Sequence, residues 1–556
     1  MRSRVLSSLA VSLAALIGCG EAVPPISQAS SSSGQVSLPG HAPRVTFYAA
    51  SRFADQASFG PTPELVAEVQ AKGFEKWIDD QFALPPSQID PTPLLGFENP
   101  VPEVQNIYVD SAFPDLAVGA PDQLRLRVTW SISSFIVASR RKGDMVGLVY
   151  WINLLQQRSL GNYGELLYQV SVSPFMGHYL DNIQNRPKSP ECPHCAPNEN
   201  YARELMQLFS LGVSRLAPDG TPLRDARGRL IETYTQRDVE ELARALTGWG
   251  ANPDPPQRPS RNWLNWGKPL SPTGSPAERD TGAKQVLGKV FPAGQSHEKD
   301  LRDAVELLMS HENIAPFVAL RMIQHLVKSN PTPAYVRRVA SAFRDNGRGV
   351  AGDMKAVVKA VLLDTEARAG DNPSTARADD GKFREPFQFY VAMYRGFGCK
   401  KIPGKSWGGA AISGVQTPFD QESVFGFYAP TDRAPGSQLL APEQRLFTGI
   451  DFKERLGLNL WPSTWNDSAQ RIEYPGYDGR QCDLDTLADA FHQSPRAFTD
   501  LLSKRYFRGV MPPPLRLNVE QMMRTPSPPW TVTDRYHGPV MLTAIVLMAP
   551  SFGAVR

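Results

Sequence analysis

The sequence predicts a mainly α protein: a multi-helix globular body with long Pro- and Gly-rich loops and one small β-hairpin. Three observations predict it. Beyond Arg44, apolar residues recur at three- and four-residue steps through most of the chain, the pattern of helices with one buried face. No alternating βαβ units, regularly spaced strands or Gly-rich phosphate loop after a strand are visible, so doubly wound and sandwich folds fit poorly. Hydrophobic residues make up 41% and charged residues 21% of the 556, a balance that excludes wholesale disorder.

The N-terminus reads as an address. Met1-Arg2-Ser3-Arg4 is a basic head, and Val5 to Ile17 is an apolar run too short to span a bilayer, where about 20 residues are needed. Leu16-Ile17-Gly18-Cys19 then resembles a bacterial lipobox, which implies cleavage after residue 18 and a diacylglycerol on Cys19. Gly20, rather than Asp, after that cysteine resembles the outer-membrane sorting pattern of Gram-negative lipoproteins. Residues 19–43 read as the lipidated cysteine and a flexible Ser-, Pro- and Gly-rich tether, with the acyl chains supplying the hold on the membrane. Residues 44–556 form the body, in one mass or in two or three packed lobes.

Within the body, helical spacing covers Ser51 to Phe82, broken at Pro61-Thr62-Pro63 with Thr62 as the N-cap of the second helix. Pro85 to Pro121 is Pro-rich and reads as an irregular connection. Helical spacing resumes over Asp122–Ser139, Met145–Leu160 and Gly164–Leu180, and again over Asn198–Leu211, where Asn198 caps and Gly212 stops. Pro218-Asp219-Gly220 and Ala226-Arg227-Gly228 are turn signals that place the hairpin between Ala217 and Tyr234. Gln236–Gly248 is helical, and Ala251 to Pro276 is a loop bearing Trp263 and Trp266. Five helices follow, over Glu298–Met309, Asn313–Lys328, Pro333–Asn346, Asp353–Asp364 and Arg384–Phe397. Gly398 to Ser437 is an extended crossing segment, and Asp483–Leu502 and Asn518–Met523 are helical. Val540–Met548 is apolar but too short to span, so it reads as a buried helix.

Lys plus Arg is 59 against 56 Asp plus Glu, a net charge of +3, which offers no general attraction for nucleic acid. With Cys19 lipidated, four cysteines remain, Cys192, Cys195, Cys399 and Cys482, and an oxidising compartment allows one or two disulfides in any of three pairings. Cys192-Pro193-His194-Cys195 resembles the motif of oxidising thiol oxidoreductases. That fold needs a strand leading into the motif, and Val170 to Asn185 here is helical in pattern, so a structural clip is the leading reading, ahead of a redox pair or a metal site with His194.

The most informative stretch is Asn198-Glu199-Asn200-Tyr201-Ala202-Arg203-Glu204, in which Glu199 and Arg203, and Asn200 and Glu204, share helix faces. Glu240 and Arg244 repeat the arrangement. Asn198 to Val213, with Tyr234-Thr235-Gln236-Arg237-Asp238-Val239 and Ala243-Arg244-Ala245-Leu246-Thr247-Gly248-Trp249, resembles the bacterial family DUF1800. Arg52 to Thr62, Leu124 to Val128, Pro316-Phe317-Val318-Ala319, Gln324-His325-Leu326-Val327, Gly381 to Pro386 and Ser423 to Tyr428 agree with it, so the resemblance covers nearly the whole mature chain. It implies a mostly helical exported protein and, as a partner, a secreted protein of the alkaline phosphatase–sulfatase type. Two departures stand out: the Cys192–Cys195 segment looks like an added clip, and Ser551 in Ala549-Pro550-Ser551-Phe552 stands where an acid is usual.

Catalysis needs acid, base or ligand groups that converge. The candidates are Glu199, Arg203, Glu204, Arg244, Arg384 and Glu385, with His325 and Lys382 beside them. Glu199 or Glu204 would serve as general base, while Arg203 and Arg384 would clamp an anionic group. No cofactor is expected. His311-Glu312 and His325 lack the spacing that sets two metal ligands on one helix face, and His178 meets Glu204 only if the fold brings them together. Two readings result: an outer-membrane lipoprotein that scaffolds a partner, with the 251–276 loop as contact surface, or a hydrolase-like envelope enzyme acting on an anionic substrate. The thiol oxidoreductase reading stands third.

Overall fold

The computed structural model describes residues 45–95, 102–254, 264–377, 380–401, 415–452, 455, 465–466, 471–474, 477–525 and 535–555. The signal segment, Cys19, the tether and Trp263 lie outside the described residues. Helices dominate, and the strands are short antiparallel pieces. Buried apolar side chains from almost every helix join one contiguous cluster that includes Trp77, Trp130, Trp151, Tyr163 and Tyr390.

The helices begin where short polar side chains can satisfy their free N–H groups. Thr46, Thr62, Ser173, Ser296 and Thr332 each accept from a backbone N–H in the first turn, and Thr235 with Asp238 forms a reciprocal capping box. Gly73, at φ 78°, splits the stretch after Thr62 into helices Pro63–Lys72 and Phe74–Ala83. The Gly164–Leu180 stretch is likewise two helices, Tyr163–Ser171 and Pro174–Tyr179, parted at the cap Ser173. The 483–502 region divides in the same way into Asp485–Gln493 and Pro495–Tyr506. The apolar segment near the C-terminus is the helix His537–Leu547, and no helix among the described residues is long and apolar enough to cross a membrane.

Three expectations are corrected. The 85–121 region is not wholly irregular: Pro102–Gly119 is a helix that carries Pro114 inside it and buries Val109, Phe113 and Ala117. Core packing there outweighs the proline density that made the segment read as a loop. The helix expected from Asn198 to Leu211 is shorter, Asn200–Gln207, and the chain then turns so that Leu211 and Gly212 both donate to the Met206 carbonyl. Trp266 is not contact surface, because it is buried against Phe175 and His178, and any side chain at Gly147 would strike its ring.

The hairpin between Ala217 and Tyr234 is present as a ribbon of isolated antiparallel bridges, Ser214 to Glu232, Leu216 to Pro222 and Arg224 to Leu230. Both turns close on an Asp–Gly pair: Asp219 and Asp225 accept backbone N–H groups, and Gly220 and Gly228 take positive φ. A second hairpin that the sequence reading missed pairs Lys284–Val286 with Lys289–Phe291 across Leu287-Gly288, both at positive φ. Near the C-terminus, Ala554–Val555 pairs antiparallel with Lys382–Phe383, which fastens the chain end beside the segment that carries Arg384 and Glu385.

Candidate functional site

The helix Ile314–Leu326 carries Phe317, Arg321 and His325 at four-residue steps, so one stripe presents all three. That stripe is one wall of a cavity of about 250 Å³. Gln207, Leu208, Gly212 and Val213, with Ser134 and Phe135, complete its lining together with Val424, Phe425 and Tyr428 to Thr431.

Local chemistry sets those walls. Asn313, at the start of the helix, donates its side-chain amide to the carbonyls of Leu211 and Ser214, which pins the base of the bridged ribbon and places Val213 at the cavity mouth. Arg215 pairs with Glu312 at the same junction. Gly212 sits at φ 78° with the Phe317 ring 3.2 Å from where a Cβ would be. Gly426 sits at φ 83°, and a Cβ there would lie 3.1 Å from the Ser134 carbonyl. Both positions require glycine, by conformation and by close approach.

The charge layout is unequal across the cavity wall. Arg321 donates to Gln324 at 3.1 Å and lies over the Phe317 ring, yet no carboxylate lies within ion-pair distance of it among the described residues. Burial pushes its guanidinium down to about 10, which leaves it cationic at neutral pH. One turn on, His325 is buried, and its Nδ1 has no hydrogen-bond partner among the described residues. Burial first, then the Lys382, Arg127 and Arg321 cations, hold its pKa well below the ordinary value, so the imidazole is neutral.

Behind His325 and Tyr428 lies a buried ionic layer. Lys382 donates to the His325 carbonyl at 3.1 Å and pairs with Glu443 at 3.0 Å and Glu385 at 3.7 Å. Arg127 donates to the same carbonyl, near the negative end of the helix. Gln416 donates to Glu385 at 2.7 Å. Burial raises the Glu443 carboxyl, Lys382 pulls it back and Glu385 adds to the rise. The Tyr428 phenol is raised well above its ordinary value by burial and then by the Glu385 and Glu443 carboxylates.

The residues chosen from the sequence do not converge on one site. Glu199 and Arg203 pair at 2.6 Å on the surface and share Gln236. Glu204 is buried with one carboxylate oxygen unpartnered, and burial raises its pKa against the lowering influence of Arg203. Arg244 pairs with Asp280 and Glu241. Arg384 is not an open anion clamp: it is buried against Asp55, the Phe552 carbonyl and the Phe552 ring. Glu385 belongs to the buried layer with Lys382, and only His325 among the named residues lines the cavity. His311 accepts from the Asn313 backbone, and His178 and Glu204 form no ion pair. Among the described residues, no group of three His, Cys, Asp or Glu could hold a metal ion.

The sequence reading missed Arg321, Glu443 and Gln416, and met Arg127 and Tyr428 only inside quoted segments. The signal that could have found Arg321 is its four-residue step to His325 on a helix of otherwise apolar character. In the cleft of about 680 Å³ beside Tyr48, both Lys382 and Arg508 already have carboxylate partners. The cleft of about 600 Å³ beside Trp266 has no buried titratable side chain in its lining.

Cys192 and Cys195 form a disulfide within an exposed turn, bridged at Ser189 and Cys192, and no strand leads into it among the described residues. Cys399 pairs with Cys482.

The family model described as "Protein of unknown function (DUF1800)" matches residues 52–554. The chain belongs to the DUF1800 family. The match runs from Arg52, in the first described helix, to Ala554, in the final strand, and so takes in the whole cavity and the ionic layer behind it. No curated protein and no solved structure matches this DUF1800 chain.

Proposed function

We propose that this DUF1800 protein is a lipid-anchored envelope protein, held in the outer membrane through Cys19, that works by binding. It takes an anionic group into the Arg321 cavity and acts beside a secreted partner of the phosphatase–sulfatase type, which supplies the chemistry. One observation carries the binding reading: a guanidinium that has no carboxylate partner among the described residues lines the cavity one helical turn from a neutral imidazole whose Nδ1 has no hydrogen-bond partner among them. A cation left in that state gains from an incoming anion what its surroundings do not supply.

The hydrolase-like alternative relies on a Glu/Arg cluster whose members, Glu199, Arg203, Glu204, Arg244, Arg384 and Glu385, lie apart, which leaves His325 as the one candidate base in the cavity lining. Its depressed pKa makes it a weak base in the empty cavity, which favours binding over catalysis. The oxidoreductase alternative draws on Cys192 and Cys195 alone and has no support from the surrounding fold.

Isothermal titration of the mature chain with acetate, phosphate and sulfate tests the cavity. Binding of at least one, lost in Arg321→Gln, is expected; no binding of these or of any larger carboxylate by the wild type sinks the reading. Growth with a radiolabelled fatty acid tests the anchor separately, with label expected on the wild type and absent from Cys19→Ser. Co-purification of a phosphatase- or sulfatase-like protein with the wild type tests the partner.

A further inference from the structure

We infer that the ligand of this cavity is a small amphipathic monocarboxylate, one charged head on a compact apolar body. The inference rests on the reading of Arg321 as an anion site and names what that site selects.

Charge comes first. Among the described residues, Arg321 is the one Lys or Arg that lines the cavity, and it has no acidic partner there; His325, the other protonatable group in the lining, is neutral. Arg127 and Lys382 lie behind the wall, and Lys382 is matched by Glu443 and Glu385. A phosphoryl or sulfated polyanion would bring a second or third negative charge into this space with no cation left to meet it. Unpaired charge among apolar side chains is strongly disfavoured. A single carboxylate fits one guanidinium, which can still offer donors beyond the Nη1 engaged with Gln324. His325 and Gln207 line the same space and supply further polar contacts.

The walls set the rest of the molecule. Phe135, Phe317, Val424 and Pro430 line the interior, and Phe425 and Val213 stand at the mouth with 57% of each exposed. Two large apolar side chains left in solvent in the lining that also carries Arg321 suit a ligand whose hydrocarbon end projects outward. The volume of about 250 Å³ lies just under the usual range of about 300–1,000 Å³ for small-molecule pockets, so the occupant is a compact acid or the acidic end of a longer one.

The test is isothermal titration of the full mature chain with three probes: 3-phenylpropionate, its uncharged amide and inorganic phosphate. Arg321→Gln and Phe425→Ser are the variants; Phe425 is exposed, and Arg321 makes one side-chain hydrogen bond, so both should fold, with circular dichroism as the check. The expected result is binding of 3-phenylpropionate, no binding of the amide, and affinity weakened about tenfold or more in each variant, the size of one lost good contact. Arg321-dependent binding of phosphate with no binding of 3-phenylpropionate overturns the monocarboxylate inference and leaves the anion site standing. Equal binding of the acid and its amide also overturns it, because the charge would then play no part. Failure of every anion, acetate and sulfate included, removes both.

Discussion

Arg384 donates to Oδ1 of Asp55 at 2.5 Å across 329 residues of chain, and Arg508 grips the other oxygen of the same carboxylate at 2.9 Å. The pair ties the first described helix to the segment that carries Lys382 and Glu385, and the Arg384 backbone and guanidinium also donate to Gly553 and Phe552 near the C-terminus. Two guanidiniums on one buried carboxylate make this a clasp that joins three distant parts of the chain.

Loss of one member leaves the other charged and buried, so Asp55→Asn or Arg384→Gln is expected to cost about 3–5 kcal/mol in denaturant unfolding. Burial raises the Asp55 carboxyl, and Arg384 and Arg508 more than reverse it, leaving its pKa below 3.8. A depressed carboxyl stabilises the fold above its unfolded value and loses that contribution as pH falls through the folded value. Wild-type stability should therefore fall faster than that of Asp55→Asn below about pH 4. Parallel acid limbs for the two proteins would contradict the clasp.

Glu204 carries the opposite sign. Burial raises its pKa above 4.5, so the folded protein favours the protonated form, and a penalty enters as pH rises from 4.5 through the folded value. Glu204→Gln keeps the shape and removes the charge. It is expected to stabilise the protein by about 1 kcal/mol at pH 7, with the gain gone below pH 4. A destabilised Glu204→Gln at pH 7 would show that the carboxylate has a partner it needs.

Cys399–Cys482 closes 83 residues of sequence and Cys192–Cys195 closes 3. Chain entropy makes the long link worth about 4 kcal/mol and the short one about 2 or less. Thermal melts of Cys399→Ser/Cys482→Ser should therefore fall well below those of Cys192→Ser/Cys195→Ser. The reverse order would point to a folding role for the exposed clip.

Gly426→Ala forces a side chain into the left-handed region at φ 83° and toward the Ser134 carbonyl. A loss of roughly 1–2 kcal/mol is expected, together with weaker anion binding, since the segment that brings Phe425 and Tyr428 to the cavity lining must shift. Unchanged binding in a folded Gly426→Ala would separate that segment from the site.

How much of this was legible in the sequence varies by element. Helix existence was readable from periodicity, and Thr62 and the turns at Asp219-Gly220 and Asp225 to Gly228 were readable from the chemistry of caps and positive-φ residues. The Pro102–Gly119 helix was not, because Pro114 and its neighbouring prolines carry a local penalty that burial of Phe113 and Val109 outweighs. Among the charges, i, i+4 spacing correctly joined Glu199 to Arg203, yet it said nothing of depth, and that pair is a surface contact.

Local rules act within a few residues, so the sequence by itself determined the helical class, the cap at Thr62, the bridged ribbon and membership of the DUF1800 family, whereas the helix expected to be capped by Asn198 starts instead after Glu199. Only the tertiary structure decided which charges are spent on one another. Asp55 meets Arg384, and Glu443 meets Lys382, through packing between segments far apart in the chain, and that same packing leaves Arg321 facing a cavity without a carboxylate. Partner choice for a buried charge is set by which helices lie against each other, a property of the whole core that no short window of sequence contains.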